Sequence, residues 1–249
     1  MMDLSDNELL RYDRQIVLKD FDVEKQQMLA EAKVMIVGIG GLGCAVATYL
    51  ASSGVGQLTL VDPDTVSLSN LPRQILFTEA DCGQAKVVVA KQQLLLRNPA
   101  CQVVVSQQAL DDSQEWAACC AEHHIVIDCT DQLLSRLTIN RLCFTTSTPL
   151  ISGAAIRMEG CVISFTWQKE EPCYECLSHL FGEPIESCVE NGVMAPLTGI
   201  IGSLQAMEAI RHLTQYGSET KGRYLLYDAM NFSFTPLKVK RNPHCKLCA

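Results

Sequence analysis

Three glycines set the first chemistry. Gly38, Gly40 and Gly43 follow the apolar run Lys33-Val-Met-Ile-Val37 in a G-x-G-x-x-G spacing, with Gly41 between them, at the mouth of a helix that runs to about Ser53. Asp62 closes the next apolar run, roughly 20 residues on, where a nucleotide-binding fold places an acid for a ribose hydroxyl. Glycines let the backbone come close to a ligand, and a helix N-terminus offers N–H groups and positive potential to phosphate. Cationic candidates for a triphosphate stand nearby in sequence: Arg11 and Arg14 in an N-terminal helical stretch, Arg73 just after Asn70, and Lys86 at a helix start. Asp128-Cys-Thr-Asp131 ends a strand at the carboxyl edge, where open α/β sheets bind ligands. An acid there could hold Mg²⁺ or only cap a helix, and the residues leave both open. No P-loop motif is present.

The second chemistry is sulfur. Cys173-Tyr-Glu-Cys176 and Cys245-Lys-Leu-Cys248 are two C-x-x-C pairs, each just after a proline-bearing turn. Four thiolates close a tetrahedral structural zinc site with no open position for catalysis. The competing readings are unlinked thiols and a redox dithiol. A redox pair would be expected at a helix N-terminus in a thioredoxin-like pattern, which the sequence lacks. His244 lies inside the second pair, but four cysteines already complete a shell. Cys119, Cys120, Cys129, Cys143 and Cys161 sit in apolar surroundings and read as small buried hydrophobes.

Alternating elements must position these groups. Strands are predicted near 33–38, 57–62, 101–107, 124–129 and 149–155, with helices near 43–53, 84–97, 112–121 and 133–146. That rhythm predicts an α/β, Rossmann-like doubly wound sheet. Residues 5–32 read as helical, with Ser5 and Glu8 as a capping box. After Arg157 the rhythm changes: a strand at 160–166 by a short turn, an irregular cysteine-bearing stretch over 168–195, a helix over 196–214 behind Pro196, and a hairpin at 222–228 and 231–239. The sheet is therefore expected to be parallel in its first half and antiparallel in its second. The 249 residues, 48% of them hydrophobic, are enough for one large core. The net charge of −8 argues against a general nucleic-acid binder. The absence of a membrane-length apolar run and of a signal-peptide pattern predicts a soluble cytoplasmic protein.

Arg11-Tyr-Asp-Arg-Gln15, the glycine turn, Asp62 with Ser69-Asn70 and Arg73-Gln74, Lys86, Asp128-Cys-Thr-Asp131 and the two cysteine pairs together resemble the ThiF/MoeB/HesA family, bacterial relatives of ubiquitin-activating enzymes. The resemblance covers essentially the whole chain. Gly153–Gly160, Leu177–Glu183 and Gly192–Pro196 look like its MoeB branch. The chain departs from the pattern at Gln132, where Asn is common, and at Pro72, which stiffens the turn that aims Arg73.

The resemblance implies a single adenylation domain over 1–249. Residues 1–32 would make dimer contacts, 33–155 would bind nucleotide, and 156–249 would bind a carrier and zinc. It implies ATP with Mg²⁺, and a small ubiquitin-like sulfur carrier, MoaD-like and ending in Gly-Gly, whose terminal carboxylate is adenylated for molybdenum cofactor biosynthesis. A ThiS-like carrier of thiamin biosynthesis is the alternative. Arg73 and Lys86 match phosphate ligands, Asn70 lies beside the phosphates, Asp62 matches the ribose ligand, and Asp131 a metal-linked or nucleotide-positioning acid. Arg14 matches an arginine that crosses a homodimer carrying two carriers. Cys188 aligns with a cysteine that some relatives use covalently, and a bystander role is expected for it here. No sulfurtransferase domain is expected within the chain, so sulfur would come from another protein. Two remoter readings compete: an NAD(P)-dependent oxidoreductase, which would use the glycine turn and Asp62 alone, and a non-catalytic carrier-binding scaffold.

Overall fold

The computed structural model describes residues 4–181, 192–218 and 222–249. Eight strands among them form one sheet: β1 (Lys33–Val37), β2 (Gln57–Val61), β3 (Gln102–Ser106), β4 (Ile125–Asp128), β5 (Leu150–Ile156), β6 (Glu159–Phe165), β7 (Arg223–Asp228) and β8 (Ser233–Lys238), in the order β3-β2-β1-β4-β5-β6-β7-β8. Pairings from β3 through β5 are parallel. Those from β5 through β8 are antiparallel, as the change of rhythm predicts. The chain goes to one side of β1 for β2 and β3, then to the other for β4. The carboxyl ends of β1 and β4 therefore flank a topological switch point, where such sheets open a crevice.

The central strands are apolar almost throughout because both faces are covered. Val34 through Val37 of β1 and all of β4 are buried. Successive side chains alternate between faces. Ile36 joins a core with Leu29, Leu50, Leu58 and Ile127, whereas Met35 and Val37 join another with Val126, Ile139 and Phe165. Helix α4 (Gly41–Ser52) is apolar on nearly every side, the mark of a helix inside the layers rather than on them. The long helix α9 (Ala195–Thr214), opened by a proline as expected, packs directly on it. A Cβ on Gly202 of α9 would stand 2.5 Å from the Leu42 carbonyl oxygen, so that contact needs glycine. Helices α5 (Lys86–Arg97), α6 (Gln114–Ala121) and α7 (Leu133–Thr146) complete the parallel part.

Two segments differ from the sequence reading. The N-terminal stretch is three helices, α1 (Asp6–Arg11), α2 (Asp13–Ile16) and α3 (Asp22–Glu31). Asp20, in the break before α3, and Asp22, its first residue, take positive φ. The predicted Ser5–Glu8 capping box is formed. The stretch read as irregular over 168–195 contains α8 (Tyr174–Phe181). Eight residues are too few for propensity to hold a helix, and this one depends on tertiary anchors instead. No helix among the described residues is long and apolar enough to cross a membrane.

Candidate functional site: a nucleotide cleft and a cysteine cluster

The glycine turn is built where β1 ends. Gly38 sits at φ +90°, and a Cβ there would lie 2.9 Å from the Cys129 carbonyl oxygen, after β4. Gly43 lies behind the turn, its missing Cβ 2.0 Å from the Gly38 carbonyl oxygen, so α4 can pack against its own strand. Gly40 is different: its nearest neighbour is the Gln74 side chain, 3.8 Å from where a Cβ would stand. The turn is therefore tight behind and open in front, with the orphan N–H groups of the α4 N-terminus at its mouth.

In front lies a cleft of about 570 Å³. Gly38, Gly40, Gly41, Asp62, Asn70, Arg73, Lys86 and Asp131 all line it. Residues scattered over nearly a hundred positions thus meet at the switch point. Gly43 supports the turn from behind. Arg14 lines no part of the cleft; its side chain is 95% exposed, beside Asp13.

The polar groups are partly preorganised. Asp62 Oδ2 accepts the Ile39 N–H at 2.6 Å and Oδ1 the Asp64 N–H at 2.8 Å, tying β2 to the glycine turn. Burial pushes the Asp62 carboxyl up, and the Lys86 ammonium pulls it back. Lys86 Nζ pairs with Asp64 Oδ2 at 2.8 Å, the lysine nearly buried and the aspartate largely exposed. Arg73 donates to the Ser69 carbonyl at 3.1 Å, so its own turn aims it. Asn70 caps that turn through the Ser67 N–H.

Three cleft residues stand out to which the sequence reading assigns no role, although Gln74 lies within the family motif. Asp64 was visible as the second acid of Asp62-Pro-Asp64, but nothing local showed that it would meet Lys86. Gln74, buried with its Oε1 lacking a partner, and Arg136, on the first turn of α7, also line the cleft. Arg136 is one of two arginines on a mixed polar and apolar helix, and nothing local set it apart from Arg141. The Arg11–Gln15 motif also divides. Tyr12 and Gln15 are anchors, to Asn98 at 2.8 Å and to Gln26 and Ser53, and Arg11 donates to the Arg97 carbonyl. Asp13 and Arg14 point out, against each other.

The second site gathers Cys173, Cys176, Cys245 and Cys248, all buried, with their sulfurs within 4.8 Å of one another. Cys173 Sγ lies 3.9 Å from that of Cys176 and 3.6 Å from that of Cys245, and Cys176 Sγ lies 3.4 Å from that of Cys248. Four sulfurs at about 2.3 Å from one zinc would stand about 3.8 Å apart, so the set fits a tetrahedral metal. The Cys173 pair does sit at a helix N-terminus, against expectation. The convergence of all four thiols still favours metal over a dithiol. His244 is exposed and outside the shell. His179 is exposed on α8, and Cys188 lies outside the described residues.

The ThiF family pattern matches residues 12–247. The chain belongs to the ThiF family. It is 54% identical over 248 residues to the molybdopterin-synthase adenylyltransferase of Escherichia coli K12, spanning 100% of this chain and 99% of the relative. It is 46% identical to the Haemophilus influenzae protein of the same description, over 97% and 99%. It is 37% identical to the Drosophila virilis adenylyltransferase and sulfurtransferase MOCS3, covering 99% of this chain and 55% of that one. Among solved structures, E. coli MccB with AMPCPP and MccA superposes with a TM-score of 0.80 at 24% identity, over 96% of this chain and 74% of that one, a likeness of fold.

Proposed function

We propose that this ThiF-family chain is an adenylyltransferase that activates the C-terminal glycine of a small MoaD-like sulfur carrier for molybdenum cofactor biosynthesis. The observation that carries the reading is convergence. The ribose-type acid, two cations, an amide and a second acid meet at one glycine turn, in a chain more than half identical to named molybdopterin-synthase adenylyltransferases over its full length. An oxidoreductase would use the turn and Asp62 and leave Arg73, Lys86 and Asp131 idle.

In this reading the turn and the α4 N-terminus cradle the triphosphate of ATP, and Asp62 takes the ribose. The carrier's terminal carboxylate attacks the α-phosphorus, the bond to the β-phosphate oxygen breaks, and pyrophosphate leaves. No strong protein nucleophile is needed. The work is alignment and neutralisation of charge. Arg73 and Lys86 face the developing negative charge, with Lys86 held ready by Asp64 in the free protein and Asn70 beside the phosphates. Asp131 is the acid that would hold Mg²⁺, which when bound neutralises phosphate charge. Arg14 acts in the partner's cleft across a homodimer carrying two carriers, which accounts for its solvent-directed side chain. The four cysteines hold a structural Zn²⁺. Cys188 is a bystander, and the sulfur comes from a separate cytoplasmic sulfurtransferase, an activity that the much longer Drosophila relative carries in its own description.

Labelled pyrophosphate should exchange into ATP only when a MoaD-like carrier ending in Gly-Gly is present. Asp131→Ala should lower that exchange by about 10²–10³ or more. Exchange supported instead by a ThiS-like carrier would move the chain to thiamin biosynthesis, and no exchange with either carrier would overturn the reading.

A further inference from the structure

Arg136 lines the cleft and no motif assigned it. It is 8% exposed, and its Nη2 donates to the carbonyl of Thr130, the residue before Asp131. From the other side the Asp128 carboxylate grips the same residue. Its Oδ1 accepts the Thr130 N–H at 3.0 Å and the Thr130 hydroxyl at 2.7 Å, while Oδ2 accepts the Ser152 hydroxyl at 2.8 Å. The turn that delivers Asp131 to the cleft is thus clamped between a buried acid and a buried guanidinium.

Arg136 is itself backed by an aromatic face. Its Cζ lies 5.9 Å from the centre of the Tyr174 ring. Tyr174 opens α8, directly after Cys173 and two residues before Cys176. The Tyr174 N–H donates at 2.8 Å to Oδ1 of Asn140, a fully buried residue on α7. The backbone that carries the ring is therefore held from two directions, by the helix that also carries Arg136 and by the cysteine cluster.

We propose that Tyr174 and Arg136 form a positioning relay through which the cysteine-anchored start of α8 sets the placement of Asp131 in the nucleotide cleft. The relay rests on the adenylation reading for what Asp131 does, but its geometry is independent of the carrier. Loss of the ring removes a cation–π face from a buried guanidinium. The guanidinium is then free to turn from the Thr130 carbonyl, and the clamp on the Asp131 turn opens on one side. Tyr174 lies outside the cleft, and Arg136, at its wall, is bonded to the Thr130 carbonyl, so both are assigned as positioning residues.

The test is equilibrium binding of a non-hydrolysable ATP analogue with magnesium to the full-length, metal-loaded chain. Tyr174→Leu should weaken binding by about three- to tenfold. Tyr174→Phe, which keeps the ring face but removes the hydroxyl that also bonds the Arg136 guanidinium, should recover part of that loss and bind the analogue more tightly than Tyr174→Leu. In an Asp131→Asn background the Tyr174→Leu change should add nothing, because a relay acting through one residue is non-additive with its loss. A loosening that was only structural would cost the same in both backgrounds, and that result would overturn the proposal. Should Tyr174→Leu not fold, Arg136→Lys, which keeps charge but loses the planar fork, is put through the same cycle. Failed pyrophosphate exchange in the unaltered protein would sink the adenylation reading. Normal exchange with unchanged analogue binding in Tyr174→Leu would sink only the relay.

Discussion

Around β1 and β4 the sheet is sealed on both faces by aliphatic side chains, and at its carboxyl edge Asp62 ties β2 to the glycine turn. At the other end β8 exposes every one of its residues, Phe232 just before it stands in solvent, and the chain beyond is gathered by four sulfurs. Pro236 is tolerated in β8 because an edge strand has an unused N–H side. The contrast separates fold from chemistry. In the parallel part, packing secures the structure, so the charged groups of the cleft are free to serve a ligand. In the antiparallel part the tail has little core of its own, and the cysteine cluster takes over the role of packing.

The hardest way to break that contrast is to remove one sulfur. Cys248→Ser leaves three ligands at a site whose fourth ties the last residues to α8. Thermal and denaturant unfolding should show a loss on the order of 4–5 kcal/mol or more, with metal content falling in a colorimetric thiol–metal assay. A chelator should destabilise the unaltered protein in the same way and do little further to the variant. Unchanged unfolding after proven metal loss would mean that the antiparallel part stands on packing after all.

Much of this arrangement was legible in the sequence, and the reason is locality. The glycine spacing, the apolar runs and the strand–helix alternation each report on neighbours in the chain, so β1 to β5 and the turn at Gly38 could be read directly. The cysteine pairs were legible because ligand spacing is itself a local pattern. What stayed hidden depends on distant partners. Helix α8 lies in a stretch whose prolines and cysteines read as irregular. Asp64 gains its meaning only when Lys86 arrives at 2.8 Å. Arg136 looks like any helix-surface cation until Thr130 and Tyr174 close around it. The Arg11–Gln15 motif was read as one unit. Its residues instead split between anchors and an outward Asp13–Arg14 pair, because the motif straddles the junction of α1 and α2 and its positions face different ways.

A smaller intervention sharpens the comparison from the parallel side. Gly43→Ala puts a Cβ 2.0 Å from the Gly38 carbonyl oxygen, a backbone atom that cannot swing aside as a side chain would. The cost should be about 1–3 kcal/mol in unfolding experiments. Pyrophosphate exchange should fall much further than that figure suggests, because the displaced backbone is the turn that faces the phosphates. A variant with full exchange and lowered stability would show that Gly43 serves packing alone.

The smallest effect is expected at the parallel part's far end, away from the cleft. His123, just before β4, is 8% exposed, with Nδ1 2.7 Å from the Cys119 carbonyl oxygen and Nε2 2.8 Å from the Thr59 hydroxyl. Burial holds its ring below the ordinary histidine range. The unfolded ring takes a proton near about pH 6.5, while the folded one resists until a lower pH. Below about pH 6.5 the unfolded chain therefore binds more protons, and stability drains as pH falls toward the folded value; above it nothing is lost. His123→Gln keeps polar atoms at the site and removes the titration. Between about pH 7 and about pH 5 its stability should decline less than that of the unaltered protein, by about 1 kcal/mol. Exchange at neutral pH should not change, since the residue lies outside the cleft. Parallel pH–stability curves for the two proteins would show that the ring charges freely within the fold. The tight packing assigned to this half would then stop short of its amino-terminal edge.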